Sequence, residues 1–265
     1  SSVAIFFSVF AMSTASADTI ITGNALPING QVVAGTATIA TSTATNTINI
    51  NQATNKAIVN WDSFNVGAQA KVNFNQPSAS AMTLNRVTGA TASQIDGMVN
   101  ANGTVVLVNS SGIVFGKGSQ VNTGALVAST LGISNASFLD GSMNFKGAKD
   151  SAASVTNLGN LSTTSAGGYI ALLASEVRND GYMIATKSSA NTIAMASGSD
   201  ITLNISGAGL VGVQVNASVY NGLVKNSRIV ETAGGLVIIA AGSASELLNS
   251  VIKNTGSISA NSVVT

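Results

Sequence analysis

The sequence predicts an all-β solenoid in which short strands stack coil upon coil, and three observations support this prediction. Small polar residues alternate with Val, Ile and Leu, a pattern typical of β-rich chains with many tight turns. Charged residues make up only 8% of the 265 residues, against about a quarter in most globular proteins. Apolar runs and Asn-x-Gly turns recur at a period near 22 residues, which indicates one coil per repeat.

The repeat is clearest in the second half of the chain. Asn157, Asn179 and Asn254 each begin an Asn-x-Gly turn between aliphatic residues, and the first two are 22 residues apart. The apolar runs around Ile170 and Ile193 are 23 residues apart, and the next run lies 44 residues further on, which we interpret as two periods. Dividing residues 18–265 by this period predicts about eleven coils, or about 50 Å at the 4.8 Å spacing of paired strands.

A solenoid of this kind has a simple physical basis. Each strand pairs with its equivalent one coil away, so inward aliphatic residues stack into a continuous core. Small polar residues are expected on the outside, which would explain the low charge. Gly and Asn are expected at the corners because they tolerate positive φ, and stacked Asn side chains can form hydrogen-bonded ladders.

The stretch 95–130 shows this arrangement most compactly. Two β-runs, Thr104–Val108 and Ile113–Phe115, are each preceded by a turn. The candidate functional residues lie in these two turns, and they are Asn100, Asn102, Gly103, Asn109 and Gly112. A structural corner and a direct contact with a partner are both open interpretations of these residues, and the corner is favoured.

The N-terminus reads as a secretory signal peptide, residues 1–17. Val3 to Met12 is an apolar run too short to span a bilayer, and a small-x-small pattern ends at Ala17. The alternative is a buried N-terminal strand. No basic segment precedes the run, so we expect the signal peptide to be truncated here.

The next segment is predicted to cap the first coil and to cover its otherwise open edges. Its strands are expected at Thr19–Thr22, Gln31–Val33, Thr36–Ile39 and Thr47–Ile50.

Other features of the chain have structural explanations. Trp61 is expected in the core rather than as a ligand platform, and Arg86 is expected to form a salt bridge or cap a turn. Residues 131–149 are predicted to leave the solenoid, anchored by Phe138 and Phe145, with a short hairpin turn at Asp140.

The composition also excludes several classes of function. The chain contains no Cys and no His, so it has no disulfide, no thiolate nucleophile and none of the commonest general bases or transition-metal ligands. The net charge of +1 gives no electrostatic reason to expect nucleic acid as a partner. We therefore expect no cofactor, no metal ion and no catalytic residue.

Several long words of the sequence together resemble one known family. NWDSFNVG, VNFNQPSASAMTLNRVTG, IDGMVNANG, VLVNSSGIVFGKGSQVNTGALVAST and GGYIALLASEVRNDG occur in order along the chain. They are similar to the haemagglutination-activity, or two-partner-secretion, domain at the N-terminus of filamentous haemagglutinin-like exoproteins. The resemblance runs from about residue 18 to the end. The family's Asn-Pro-Asn-Gly turns lack their Pro here, and the turn from Asn109 to Gly112 also lacks its second Asn.

The resemblance implies a right-handed parallel β-helix with an N-terminal β cap and small extra-helical β elements. It further implies export from a Gram-negative bacterium through the periplasm by a dedicated outer-membrane barrel transporter with POTRA domains. Residues 18–265 would then be the secretion domain of a longer exoprotein, continuing beyond residue 265, and we expect it to be monomeric. The motif residues carried over are Asn100, Asn102, Gly103, Asn109 and Gly112.

Two other functions remain open from the sequence. The domain could be an adhesin module that binds a host glycan or receptor, directly or through the full-length protein. It could instead be a β-helix enzyme that degrades polysaccharide. The second is disfavoured because such enzymes need clustered carboxylates, whereas the ten acidic residues here are scattered, with Glu176 and Asp180 forming the closest pair.

Signal-peptide cleavage gives a direct prediction. We expect cleavage after Ala17, so the exported protein should begin at Asp18, as N-terminal sequencing would determine. Retention of Ser1 in the exported protein would contradict this assignment.

Overall fold

The computed structural model describes residues 21–207, 209–243, 252–260 and 262–264, and for the last three residues only the backbone. The predicted signal peptide 1–17 and its cleavage site at Ala17 lie outside the described residues and stay predictions. No helix in the described ranges is long and apolar enough to cross a membrane.

The described chain forms 28 strands and one short helix, α1 (Asn135–Asp140). The strands, in order, are β1 (Gln31–Ala34), β2 (Ala37–Ser42), β3 (Thr47–Gln52), β4 (Lys56–Trp61), β5 (Lys71–Asn75), β6 (Met82–Val87), β7 (Ser93–Ile95), β8 (Met98–Ala101), β9 (Thr104–Val108), β10 (Ile113–Phe115), β11 (Gln120–Thr123), β12 (Ala125–Ser129), β13 (Gly132–Ile133), β14 (Asn144–Lys146), β15 (Ser154–Asn157), β16 (Asn160–Thr163), β17 (Tyr169–Ala174), β18 (Glu176–Asn179), β19 (Tyr182–Ala185), β20 (Thr192–Ser197), β21 (Asp200–Ser206), β22 (Gly209–Ala217), β23 (Leu223–Asn226), β24 (Ile229–Thr232), β25 (Leu236–Ala241), β26 (Ile252–Asn254), β27 (Ser257–Ser259) and β28 (Ser262–Val264).

Three long sheets form the sides of a parallel β-helix, as the sequence predicted. Sheet I has the order β1-β4-β6-β9-β12-β17-β20-β25-β28, and sheet II has the order β2-β3-β5-β8-β11-β16-β19-β24-β27. Sheet III has the order β26-β23-β18-β15-β10-β7. A typical coil contributes one strand to each sheet, as β15, β16 and β17 do.

The predicted number of coils was wrong. Sheet I has nine strands, of which β1 alone is antiparallel, so the described residues form eight levels rather than eleven. The 44-residue step from Ile193 to Val237 is a single coil, because these two residues are direct partners in neighbouring strands. The extra residues leave the helix as β21 and β22. Seven steps of about 4.8 Å give a length of about 34 Å rather than 50 Å.

The interior is a stack of aliphatic side chains in register. One column on the inner face of sheet II has an apolar, buried residue at each of the first seven levels, since parallel pairing places equivalent residues directly above one another. Its members are Ile48, Val72, Val99, Val121, Leu161, Met183 and Val230.

The N-terminal segment closes the first coil, as predicted. β1 pairs antiparallel with β4, and β2 pairs antiparallel with β3, so both sheets end on a strand that runs against the rest. The strand predicted at Thr19–Thr22 is wrong for residues 21 and 22, which form no strand, and its first two residues are outside the described range.

Sheet I is buried on both faces, which the sequence analysis did not anticipate. A small outer sheet, in the order β13-β14-β21-β22, covers its outward side. The outward column of sheet I is therefore apolar and buried rather than polar and solvated, and it runs through Ile58, Leu84, Val106, Val127, Ala171, Ala194 and Ile238. This double burial explains the unbroken apolar runs in β12, β17 and β20.

The excursion 131–149 is anchored as expected, but its turn was misassigned. Phe138 and Phe145 are fully buried in the core between sheet I and the outer sheet. The Asp140-Gly141 pair ends α1 instead of forming a two-residue hairpin, with Gly141 in the left-handed conformation at φ 88°. Ser134 caps the start of the helix by accepting a hydrogen bond from the Ser137 amide.

Trp61 and Arg86, which the sequence analysis singled out, both have structural roles. Trp61 is buried against Phe64, with ring centroids 5.6 Å apart, and its indole Nε1 donates to Asn85 at 3.0 Å. Among the described residues, Arg86 has no salt-bridge partner. It donates to the Ile133 carbonyl at 2.8 Å and to Asn135 at 2.9 Å, so it fastens the excursion to the coil.

Truncation of Phe145 tests the core between sheet I and the outer sheet. Phe145→Ala should lower the free energy of unfolding by about 3–5 kcal/mol, as for other buried aromatic side chains. Lys146→Ala is the matched control, because the Lys146 side chain is 69% exposed and forms only a surface ion pair with Asp200. Urea denaturation would measure both variants. Equal effects of the two substitutions would contradict the described packing.

Candidate functional site

The five residues singled out from the sequence lie in the early coils, at two different corners and in one strand. Asn100 lies within β8 rather than in a turn, and its Nδ2 donates to Asn73 Oδ1 on the coil below at 3.0 Å. Its assignment as a corner residue was therefore wrong. Asn102 and Gly103 occupy the corner between β8 and β9, and Asn109 and Gly112 occupy the turn between β9 and β10.

Asn102 forms two hydrogen bonds with the backbone of the coil below. Its Oδ1 accepts a hydrogen bond from the Gln76 amide, and its Nδ2 donates to the Gln76 carbonyl, both at 2.8 Å. The side chain of Gln76 completes the corner, since its Oε1 accepts from the Gly103 amide at 2.8 Å. Gln76 Nε2 donates to the carbonyls of Ala81 and Thr104. Gln76 was missed because a buried glutamine has no sequence signature.

Gly103 is required by close approach rather than by its backbone conformation. Its φ is not among the positive values of the chain, contrary to the expectation for corner glycines. A Cβ at this position would lie 2.5 Å from the Ala81 carbonyl oxygen. Stacked coils bring successive corners into contact, so the corner must lack a side chain.

The second turn does follow the expected turn chemistry. Asn109 is fully buried, and its Nδ2 donates to the Thr91 carbonyl and to Ser93 Oγ, each at 3.0 Å. Its Oδ1 accepts from the Ser111 amide at 2.9 Å, and Gly112 has a φ of 119°. In the folded domain, the Asn109 side chain is thus committed to holding this turn and does not reach the surface.

The anticipated Asn ladder is present inside the corner between sheets III and II. Asn157 Nδ2 donates to Asn179 Oδ1 at 2.8 Å, Asn179 donates to Asn226 at 2.7 Å, and Asn226 donates to Asn254 at 2.8 Å. Asn226 was missed because Ser227 and Arg228 follow it in place of the Asn-x-Gly pattern. Every rung uses one amide donor and one amide acceptor of the neighbouring coils.

Several acidic residues have local structural partners. Glu176 accepts from Arg178 Nε at 2.6 Å, and Asp180 lies 3.9 Å from Lys225. Hydrogen bonds from Asn216 and Asn144 lower the pKa of Asp200, so its carboxylate is ionised well below neutral pH.

Within the described residues, no three His, Cys, Asp or Glu side chains are grouped to hold a metal ion.

A family model for the TPS secretion domain matches residues 20–265, nearly the whole chain. The chain belongs to the TPS secretion domain family. This TPS domain is 30% identical over 239 residues to a heme/hemopexin-binding protein of Haemophilus influenzae, covering 89% of the chain and 26% of that relative. A second heme/hemopexin-binding protein of the same species is 40% identical over 104 residues, covering 39% of the chain and 11% of that relative.

Among solved structures, the TPS domain is similar to the crystal structure of the HMW1 secretion domain from Haemophilus influenzae. The TM-score is 0.76 at 29% identity, covering 89% of this chain and 59% of that one. The chain spans about a quarter of the length of the first curated relative, 26%. The sequence predicted a parallel β-helix and membership in a family of exoprotein secretion domains. Both predictions are therefore confirmed.

The corner geometry can be tested with two glycine substitutions. Gly103→Ala should destabilise the domain by about 1–3 kcal/mol, because the added methyl group would overlap the Ala81 carbonyl. Gly207→Ala is the control, since a Cβ there meets nothing within 4 Å, and its effect should stay within about 0.5 kcal/mol. Thermal denaturation of both variants measures the difference. A Gly103→Ala variant as stable as the control would contradict the close contact.

Proposed function

We propose that this domain is the secretion-targeting module of a larger exoprotein and that a dedicated outer-membrane transporter recognises it. The transporter is a barrel pore with periplasmic POTRA domains, and the exoprotein is released from, or held on, the surface of a Gram-negative bacterium. The observation that carries the proposal is the family match over residues 20–265. Its place as a module of a longer chain is supported by the 26% of the first curated relative that it spans.

The solenoid suits folding that accompanies export. Each strand of sheets I, II and III pairs only with strands one coil away, so a coil can form as soon as its predecessor is in place. The antiparallel strands β1 and β2 close the first level. Within the described residues, β26, β27 and β28 end the three sheets with parallel edges onto which a further coil could add. Folding outside the cell would make passage through the pore one-way.

Asn109 fits recognition of the unfolded chain better than recognition of the folded domain. Its side chain is fully buried, and its amide is hydrogen-bonded within the coils. A transporter that contacts this side chain would meet it freely only before the coils form. An extended segment could then add as a strand to a sheet edge of a POTRA domain. After export, Asn102, Gly103, Asn109 and Gly112 would form corners of the early coils, and Asn100 would lie within β8.

Heme binding by the parent protein is not expected to involve this domain. Two relatives are named for binding heme and hemopexin. This chain contains neither His nor Cys, which are the commonest axial ligands of heme iron. If the parent exoprotein binds heme, we expect the iron ligands to lie outside residues 18–265.

Secretion assays with and without the transporter test the proposal. The domain should reach the medium only when the transporter encoded with it is expressed. Asn109→Ala should reduce the secreted amount severalfold, because it removes the buried amide that holds the second turn. Asn221→Ala is the matched control, since Asn221 is exposed in a turn, and it should be secreted like the wild type.

Immunoblots of medium and periplasm would report both results. Equal amounts in the medium with and without the transporter would contradict a secretion-targeting role. Equal secretion of Asn109→Ala and Asn221→Ala would contradict the role assigned to the second turn.

A further inference from the structure

The outer face of sheet II carries two columns of Asn side chains, and of the six residues named below only Asn100 belongs to the motif proposed for secretion. The first column contains Asn49, Asn73, Asn100 and Asn122 at successive levels, paired in register from β3 to β11. The second column starts with Asn51 and Asn75, two residues further along each strand. The sequence therefore repeats an Asn-x-Asn pattern in β3, β5 and the end of β8, each time facing outward.

Four of these six amides, those of Asn73, Asn75, Asn100 and Asn122, line a shallow groove. The groove has a volume of about 560 Å³ and lies across the third to fifth strands of sheet II and the following corner. The polar residues that line it are Asn73, Asn75, Gln76, Asn100, Asn102, Asn122 and Thr164. None of the residues that line it is charged or ionisable. The groove is open to solvent along the sheet face, so a ligand would lie across it and would not be enclosed.

The amides are held in place before any ligand arrives. Asn100 Nδ2 donates to Asn73 Oδ1, Asn73 Nδ2 donates to Asn49 Oδ1 at 2.9 Å, and Asn75 Nδ2 donates to Asn51 Oδ1 at 2.7 Å. Each amide has two N–H donors and two acceptor lone pairs, so this ladder leaves further donors and acceptors directed outward. A ligand would meet oriented groups and would not have to order the side chains itself.

The chemistry of the groove selects the class of ligand. Paired amide donors and acceptors, without charge, match the neighbouring hydroxyl groups of a neutral sugar. An anionic polymer would need basic residues, and none lines the groove. An extended peptide pairs through its backbone with the edge of a sheet, whereas this surface presents side chains on a sheet face. The level spacing of about 4.8 Å is close to the length of one hexose unit.

We propose that this amide groove binds a segment of neutral polysaccharide. The contrast with sheet I supports this, because the outward face of sheet I is covered by the outer sheet whereas the groove on sheet II is open. The site belongs to the folded domain, and it is independent of how the chain was exported.

Titration of the purified folded domain with defined sugars tests the proposal. The probes are neutral linear hexasaccharides of glucose, N-acetylglucosamine and mannose, with heparin as the charged comparison. At least one neutral hexasaccharide should shift backbone NMR signals of β5, β8 and β11. Asn75→Ala should weaken that binding about fivefold, the effect of one hydrogen bond.

Asn221→Ala is the control, because Asn221 is exposed in a turn and does not line the groove. Wild-type affinity in Asn221→Ala and reduced affinity in Asn75→Ala would support the site. The proposal is overturned if no neutral probe binds, if heparin alone binds, or if both variants lose affinity equally. Secretion does not enter this assay, so its result is separate from the test of the transporter.

Discussion

The register between successive coils is the constraint on which the rest of this structure depends. Parallel pairing places residue above residue at about 4.8 Å. The core columns, the Asn ladder and the corner contacts all depend on that spacing. Aliphatic columns fill the interior because equivalent positions coincide at each level. The buried Asn157–Asn179–Asn226–Asn254 ladder satisfies its amides only while adjacent coils remain in register. Gly103 has no side chain because the corner below lies against it.

This constraint also separates what could be predicted from sequence. The fold class, the N-terminal cap, the buried Phe138 and Phe145, and the Asn ladder followed from repeats and local turn chemistry. The number of coils did not, because inserted segments such as β21 and β22 lengthen one coil to 44 residues and imitate two periods. The repeat period alone cannot distinguish one long coil from two short ones.

The candidate site was predicted less well than the fold. The motif residues were found, but Asn100 is a strand residue, and the side chain of Gln76 completes the corner without any local signal. The covered face of sheet I was also missed. An apolar run indicates burial on both faces, yet it does not say which part of the chain supplies the cover. That information lies in long-range contacts between the outer sheet and the coils.

Each coil is stabilised mainly by the coils next to it, and this property links the architecture to export. Native-state hydrogen exchange of the folded domain, comparing wild type with Asn179→Ala, tests it most directly. The substitution orphans buried amide groups of Asn157 and Asn226, at about 1–3 kcal/mol for each unsatisfied group. We expect protection to fall most in β15 and β23, on either side of β18, and least in β4 and β6. An equal loss of protection throughout the chain would contradict coil-by-coil stability.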